Sequence, residues 1–149
     1  MTNKQVETVT DAEWEIMRVV WSQGETNSTE IIKILEEKTE WKPSTVKTLL
    51  SRLVTKNYLF TRKEGKQFIY QAVVQENEAI KEASDELLDK ICDKKIGSIL
   101  IDIVKEKELS LGDIKILEGL LREKKTKAPL EVACNCIPGQ CTCEVERGR

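Results

Sequence analysis

Residues 42–72 read KPSTVKTLLSRLVTKNYLFTRKEGKQFIYQA, and two periodicities follow each other within this segment. Four apolar side chains repeat at helical spacing, namely Val46, Leu49, Leu50 and Leu53. They predict a helix from Pro43 to about Lys56 with one buried face, and proline suits the first turn of a helix. Residues 58–63 and 66–72 alternate in polarity around Glu64-Gly65, which predicts a β-hairpin.

Two further helices are predicted before this segment. Thr10-Asp11-Ala12-Glu13 has the form of a capping box and predicts a helix over about residues 11–22. Asn27 or Ser28 can cap a second helix that runs to about Lys38. Three helices followed by a β-hairpin wing are the order of a winged helix-turn-helix, a fold whose third helix enters the major groove of DNA.

The net charge of −2 conceals an uneven distribution of charge along the chain. Residues 1–41 sum to −5, residues 42–66 to +6 and residues 67–149 to −3. A positive block within an acidic chain is typical of a local phosphate-binding surface, because Lys and Arg neutralise backbone phosphates and release counterions. A solvated run of charges is the alternative interpretation.

The exposed face of the third helix and the arm of the hairpin form the candidate DNA-binding surface. Ser and Thr side chains are short enough to let the helix enter the major groove, and Lys47 and Arg52 can reach guanine edges or phosphates. The alternative is that small polar residues only solvate the helix, but the adjoining wing and basic block favour DNA contact. The candidate residues are Ser44, Thr45, Lys47, Thr48 and Arg52 in the helix and Arg62, Lys63 and Lys66 in the wing.

From Gln75 onward the apolar spacing is again helical, and three short amphipathic helices are predicted. Alone they make a small core, and packing against a second copy enlarges it, so we expect a homodimer that covers two DNA half-sites. A helical bundle packed within one chain is the alternative. The predicted fold is mainly α, with a winged helix-turn-helix domain (residues 1–74), an α-helical dimerisation domain (residues 75–127) and an irregular Cys-rich tail (residues 128–149).

The tail carries four of the five cysteines of the chain in the pattern C-x-C-x₄-C-x-C, at Cys134, Cys136, Cys141 and Cys143. Pro138-Gly139 supplies a turn that can bring the two pairs together. Four thiolates suit the tetrahedral preference of structural Zn²⁺, and thiolates also select Cu(I). Structural zinc sites usually have a wider C-x₂₋₄-C spacing, so the tight pairs favour copper or a site that accepts both ions.

Two other roles are open to the cysteines. A disulfide framework is disfavoured because the N-terminal residues lack the pattern of a secretory signal, and a redox relay typically has C-x-x-C beside a helix start. Cys92 stands apart, beside Ile91 on the apolar side of a predicted helix. We expect Cys92 to be a small buried core residue rather than a metal ligand.

The composition also argues against catalysis and membrane insertion. The chain has no His, so the commonest general base is missing, and nothing in the sequence supplies a base to activate a thiolate nucleophile. No apolar run approaches the roughly 18 residues of a membrane-spanning helix. We therefore expect a cytoplasmic protein that is not an enzyme and has no membrane partner.

Four segments together carry a family resemblance. They are residues 10–17 (TDAEWEIM) with Trp21, residues 41–53 (WKPSTVKTLLSRL), Glu64-Gly65-Lys66 with Phe68 and Tyr70, and the C-x-C-x₄-C-x-C tail. The first three resemble the penicillinase-repressor superfamily of bacterial winged-helix repressors. The tail resembles the copper-responsive, CopY-type branch of that superfamily.

The resemblance implies a homodimer that binds a pseudo-palindromic operator and represses genes for copper-exporting ATPases and copper chaperones. It further implies that Zn²⁺ is bound by the four tail cysteines in the repressing form. Cu(I), at two ions per tail, then displaces the zinc and the protein leaves the DNA. Inactivation by proteolysis, as in the β-lactam-sensing relatives, is not carried over, because those relatives lack the tail.

Rival functions remain open. A copper or zinc thiolate-cluster protein for storage or chaperoning accounts for the tail but leaves the basic block and the wing unexplained. A zinc- or cadmium-responsive repressor accounts for both and differs only in the effector. A copper chaperone is a further candidate partner, as the donor of Cu(I).

Overall fold

The computed structural model of the protein describes residues 8–143, and its mainly helical fold confirms the predicted class. In chain order the elements are α1 (Asp11–Gln23), β1 (Glu25–Thr26), α2 (Ser28–Leu35), α3 (Pro43–Thr55), β2 (Leu59–Glu64), β3 (Gln67–Ala72), α4 (Glu76–Asp89), α5 (Asp93–Glu106) and α6 (Leu111–Lys125). The chain divides into two compact units, Met1–Glu82 and Ala83–Arg149. The first unit is the winged helix-turn-helix, and the second contains the Cys-rich segment.

The core of the first unit lies against the apolar face of α3. Leu50 and Leu53 are completely buried, together with Ile16 of α1 and Ile31 of α2. The helix α2 ends at Leu35, earlier than predicted, and a turn follows in which the Leu35 carbonyl oxygen accepts from the backbone N–H groups of Lys38 and Thr39 and from the Thr39 hydroxyl. Burial of each large apolar side chain contributes about 1.5–3 kcal/mol, so the packing of α3 against α1 and α2 stabilises the unit substantially.

Caps fix the position of the helices that flank this core. Thr10 and Glu13 form the predicted capping box at the start of α1, with backbone-to-side-chain distances of 3.2 and 3.3 Å. The helix α3 ends in a Schellman motif, in which the Tyr58 N–H donates to Leu53 O at 3.0 Å and Asn57 has a φ of 62°. The chain therefore leaves α3 in a fixed direction and enters β2 directly.

The wing is part of a three-stranded antiparallel sheet in the order β1-β3-β2. The predicted hairpin is confirmed, with Glu64 opposite Gln67 across a two-residue turn in which Gly65 has a φ of 63°. The short strand β1 was not predicted, because two residues carry no periodicity. It pairs with β3 through Glu25 opposite Gln71 and Thr26 opposite Tyr70, and so joins the wing to the α1–α2 connection.

The helices of the second unit carry the predicted apolar stripes, but α5 and α6 bury none of these residues. The exposed apolar residues of the two helices are Leu100, Ile101, Ile103, Val104, Leu111, Ile114, Ile116, Leu117, Leu120 and Leu121. The apolar stripes, to which most but not all of these residues belong, are therefore uncovered within one chain. Between residues 8 and 143, no helix has the length and apolar character needed to cross a membrane.

Candidate nucleic-acid interface and metal centre

All five candidate DNA-binding residues of α3 lie on its exposed face, because the opposite face is packed into the core. Ser44, Thr45, Lys47, Thr48 and Arg52 are all exposed. The Thr48 hydroxyl donates to Ser44 O at 2.9 Å, so this side chain offers a methyl group and lone pairs outward. Neither Lys47 nor Arg52 forms an ion pair with any residue between 8 and 143, which leaves both charges available to an external anion.

Two of the three basic residues in the wing are similarly free. Lys63 and Lys66 are exposed, and within the described part of the chain they form no ion pair. Arg62 instead donates to both carboxylate oxygens of Glu25, at 3.1 and 2.9 Å, and to Glu64 at 3.2 Å. The hydrogen bonds from Arg62 are the main cause that lowers the pKa of Glu25 below its usual value.

Arg62 therefore differs from the other candidate DNA-binding residues in that its charge is already paired. Its charge is largely compensated by two carboxylates of the sheet, and Gln71 also donates to Glu25. Sequence reasoning missed this network because it depends on β1, which places Glu25 next to the wing.

The position of α3 is fixed by a buried ion pair at its C-terminal end. The Lys56 ammonium group lies 2.7 Å from Glu13 Oε2 and also donates to Thr8 O at 2.9 Å. Glu13 is completely buried at the start of α1. The pair joins the two helices at a point where neither charge is well hydrated, so each charge depends on the other.

The Cys-rich segment brings its sulfurs together, as its spacing predicted. Cys134 Sγ lies 3.3 Å from Cys141 Sγ, and the Cys136 N–H donates to Cys134 Sγ at 3.4 Å. A turn at Pro138-Gly139 joins the two pairs, with a 3.1 Å hydrogen bond from Gln140 N–H to Ile137 O and a φ of 92° at Gly139.

Cys92 was predicted to be a core residue on a helix, and its surroundings differ from that prediction. It is buried, but α4 ends at Asp89 and Cys92 is the N-cap residue of α5. Its sulfur lies 3.6 Å from Cys134 Sγ and 3.7 Å from Cys143 Sγ. The five sulfurs thus form one cluster, here called the thiol cluster.

The tail is attached to α5 next to this cluster. The Asp93 N–H, a free donor in the first turn of α5, donates to Asn135 Oδ1 at 3.0 Å. Asn135 therefore caps α5 from the middle of the first C-x-C pair, a role that the sequence pattern did not indicate. Beside the cluster is an open cleft of about 440 Å³.

The thiols of the cluster differ in their readiness to ionise. Burial, followed by hydrogen bonding with Cys134, raises the pKa of Cys136. Hydrogen bonding with Cys141, followed by burial, raises the pKa of Cys143 to about 12. A backbone hydrogen bond from Cys143, followed by the side-chain contact with Cys134, lowers the pKa of Cys141. The cluster disfavours several negative charges at once unless a cation compensates them.

The donor set fits a thiophilic metal ion. Four of the sulfurs, those of Cys92, Cys134, Cys136 and Cys141, all lie within 4.8 Å of one another. With Zn–S bonds of about 2.3 Å, the corners of a tetrahedral site are about 3.8 Å apart, close to the distances in the cluster. Thiolates without oxygen or nitrogen donors suit Zn²⁺ and Cu(I) and are poor ligands for Mg²⁺ or Ca²⁺.

Comparison with known proteins gives matches over most of the chain. The family model for the penicillinase repressor matches residues 9–123. An uncharacterised 16.5 kDa protein of Latilactobacillus sakei is 45% identical over 93% of this chain and 94% of that protein. The penicillinase repressor of Bacillus licheniformis is 32% identical over 83% of this chain and 97% of that protein. A solved structure of the CopR repressor is 46% identical and covers 46% of this chain and 99% of that chain, with a TM-score of 0.40.

Proposed function

The chain belongs to the penicillinase repressor family of transcriptional repressors, and we propose that within this family it is a metal-responsive repressor. The zinc-loaded homodimer binds a pseudo-palindromic double-stranded operator. Replacement of zinc by Cu(I) on the tail cysteines, Cys134, Cys136, Cys141 and Cys143, releases the protein and derepresses copper-export genes. The thiol cluster is the observation that carries this proposal, because a repressor that only binds DNA has no need of one.

The DNA-binding half of the proposal rests on α3 and the wing. The exposed polar face of α3 has the size and chemistry to read base edges in the major groove, and Lys63 and Lys66 extend the positive surface toward the flanking phosphates. Ser44, Thr45 and Thr48 allow close approach of the helix. Arg62 is assigned a smaller share, because Glu25 and Glu64 already compensate its charge.

Lys47→Ala is expected to weaken operator binding and, if Lys47 contacts a phosphate, to lower the slope of log affinity against log salt by about one. The reason is the loss of one released counterion. The measurement is a fluorescence-anisotropy titration with operator DNA at several salt concentrations. Lys38→Ala is the matched control, since Lys38 is paired with Glu15 at 2.7 Å. Equal affinity of the Lys47→Ala variant and the unaltered protein would contradict the proposed orientation of α3.

The homodimer is supported by the apolar stripes of α5 and α6. These helices leave ten large apolar side chains exposed in a single chain, far more than scattered surface residues require. A twofold partner that covers the same stripes buries both sets at once. It also supplies the second recognition helix that a pseudo-palindromic operator needs.

The metal half of the proposal rests on the chemistry of sulfur ligands. Zn²⁺ favours four thiolates in a tetrahedron, whereas Cu(I) favours two or three, so four sulfurs that hold two copper ions must bridge them. The tail cysteines thus adopt different arrangements with the two metals. Such a difference changes DNA affinity when the two arrangements interact differently with the DNA-binding form of the dimer. The open cleft beside the cluster gives a copper chaperone, the proposed donor of Cu(I), access to the sulfurs.

The decisive experiment titrates zinc-loaded protein on operator DNA with Cu(I) and, separately, with excess Zn²⁺, while both metal release and DNA release are followed. We expect release from DNA by Cu(I) alone. Release by zinc or cadmium would identify the rival metal-responsive repressor. Metal binding without any specific binding to palindromic DNA would identify the storage or chaperone alternative.

Replacing both Cys141 and Cys143 by Ser is expected to abolish the response to Cu(I), because one of the two ligand pairs is lost. The same titration measures this response. A double variant that copper still removes from operator DNA would show that the tail is not the sensor.

A further inference from the structure

Cys92 is the one sulfur of the thiol cluster to which the proposed zinc and copper site gives no role. We propose that Cys92 is a direct ligand of the zinc ion, together with Cys134, Cys136 and Cys141. This inference rests on the proposed function, because the zinc is the ion assigned there to the repressing form. It changes the zinc ligand set from four tail cysteines to three tail cysteines and one residue of the helical region.

The distances carry the assignment. The sulfurs of Cys92, Cys134, Cys136 and Cys141 lie within 4.8 Å of one another, a condition that a tetrahedral site requires of all four ligands. Cys143 lies outside this group, although its sulfur is 3.7 Å from that of Cys92. Cys92 therefore occupies the corner that the tail pattern alone assigns to Cys143.

The surroundings of Cys92 do not fit a small core residue. Its sulfur is next to two other sulfurs, and the cleft that it lines also contains Asp89, Lys90 and Lys95. A packing role would place it among apolar side chains instead. Burial with 7% exposure removes the sulfur from bulk water, as suits a closed structural zinc site.

Because Cys92 lies at the start of α5, a metal bound to it links the tail to that helix. Cys92 is the N-cap residue of α5, where a negative group is favoured by the helix dipole. With Asn135 bound to the Asp93 N–H, a metal ion held by Cys92 is a second attachment of the tail to the start of α5. Exchange of the metal then changes the contacts at the start of α5, a helix that carries one of the uncovered apolar stripes.

The test compares Cys92→Ala with Cys143→Ala in the full-length chain. Zinc affinity is measured by competition with a chelator, and the thiolate-to-metal charge-transfer absorption of the Co²⁺-loaded protein reports the number of bound sulfurs. Cys92→Ala is expected to lower zinc affinity by more than the roughly 10–100-fold that loss of an outer-sphere partner costs, and to lose one thiolate from the cobalt spectrum. Cys143→Ala is expected to lower zinc affinity by less than Cys92→Ala does.

The opposite order would overturn the inference: a large loss for Cys143→Ala and unchanged zinc affinity for Cys92→Ala. The unaltered protein gives a second measurement that does not depend on folding of a variant. After loading with ¹¹³Cd²⁺, scalar coupling from the metal to the Cys92 β-protons is expected, and coupling to the four tail cysteines alone would refute a Cys92 ligand. If the unaltered protein bound neither ion, the proposed function itself would fail.

Discussion

Replacing Lys56 by Met is expected to lower the free energy of unfolding of the N-terminal unit by about 3–5 kcal/mol, because it leaves the buried Glu13 carboxylate without its cation. The side chains of Lys56 and Glu13 are only 13% and 1% exposed, so water cannot replace the lost partner. Marginally stable domains have a total of about 5–15 kcal/mol, so this loss is a large part of the whole.

Urea unfolding followed by tryptophan fluorescence measures the effect, since all three Trp residues lie in the first unit. Lys38→Met is the matched control: its ion pair with Glu15 has the same 2.7 Å distance, but the two side chains are 56% and 26% exposed. Exposed ion pairs contribute about 0–1 kcal/mol to the free energy of unfolding. Equal and small losses in the two variants would mean that burial adds nothing to the Glu13–Lys56 pair.

Replacing Leu121 by Glu is expected to raise the dissociation constant of the proposed homodimer by roughly 30–700-fold. Leu121 is 62% exposed in one chain. Covering that area is worth about 1–2 kcal/mol per copy, and a twofold interface contains the position twice, which gives about 2–4 kcal/mol. A carboxylate buried without a partner adds to the loss.

Sedimentation equilibrium over a range of protein concentrations measures the dissociation constant. Ile116→Glu is the control on the same helix, because Ile116 is 64% exposed and lies away from the stripe of Ile114, Leu117 and Leu121. We expect Ile116→Glu to dissociate the dimer less. An unaltered protein that stays monomeric at all concentrations would contradict the homodimer.

The elements of the fold were predicted where their sequence signal is periodic. The apolar spacing of α3, the capping box of α1 and the Gly-containing turn of the wing are local features, and each has one conformation that satisfies it. The strand β1 has two residues and is a strand only because β3 lies beside it. No local pattern could indicate it, and the pairing of Arg62 with Glu25 was missed for the same reason.

For the candidate metal site, too, only the part with a local sequence pattern could be predicted. The four tail cysteines could be predicted as metal ligands because their spacing is itself a metal-binding pattern. Cys92 was not, because one cysteine beside Ile91 has the sequence signature of a buried core position, and no Gly or Pro marks the break between α4 and α5. Its place in the thiol cluster depends on how the tail folds back onto α5, a contact between residues 42 positions apart.

The two-residue strand β1 has a consequence for the entropic cost of operator binding. It joins the wing to the α1–α2 connection, while the Schellman motif sets the direction in which the chain passes from α3 to the wing. The helix α3 and the wing, which we propose contact the groove and the phosphates, are thus held together before DNA is bound. Less conformational entropy is then lost on docking, so more of the contact energy is retained as affinity.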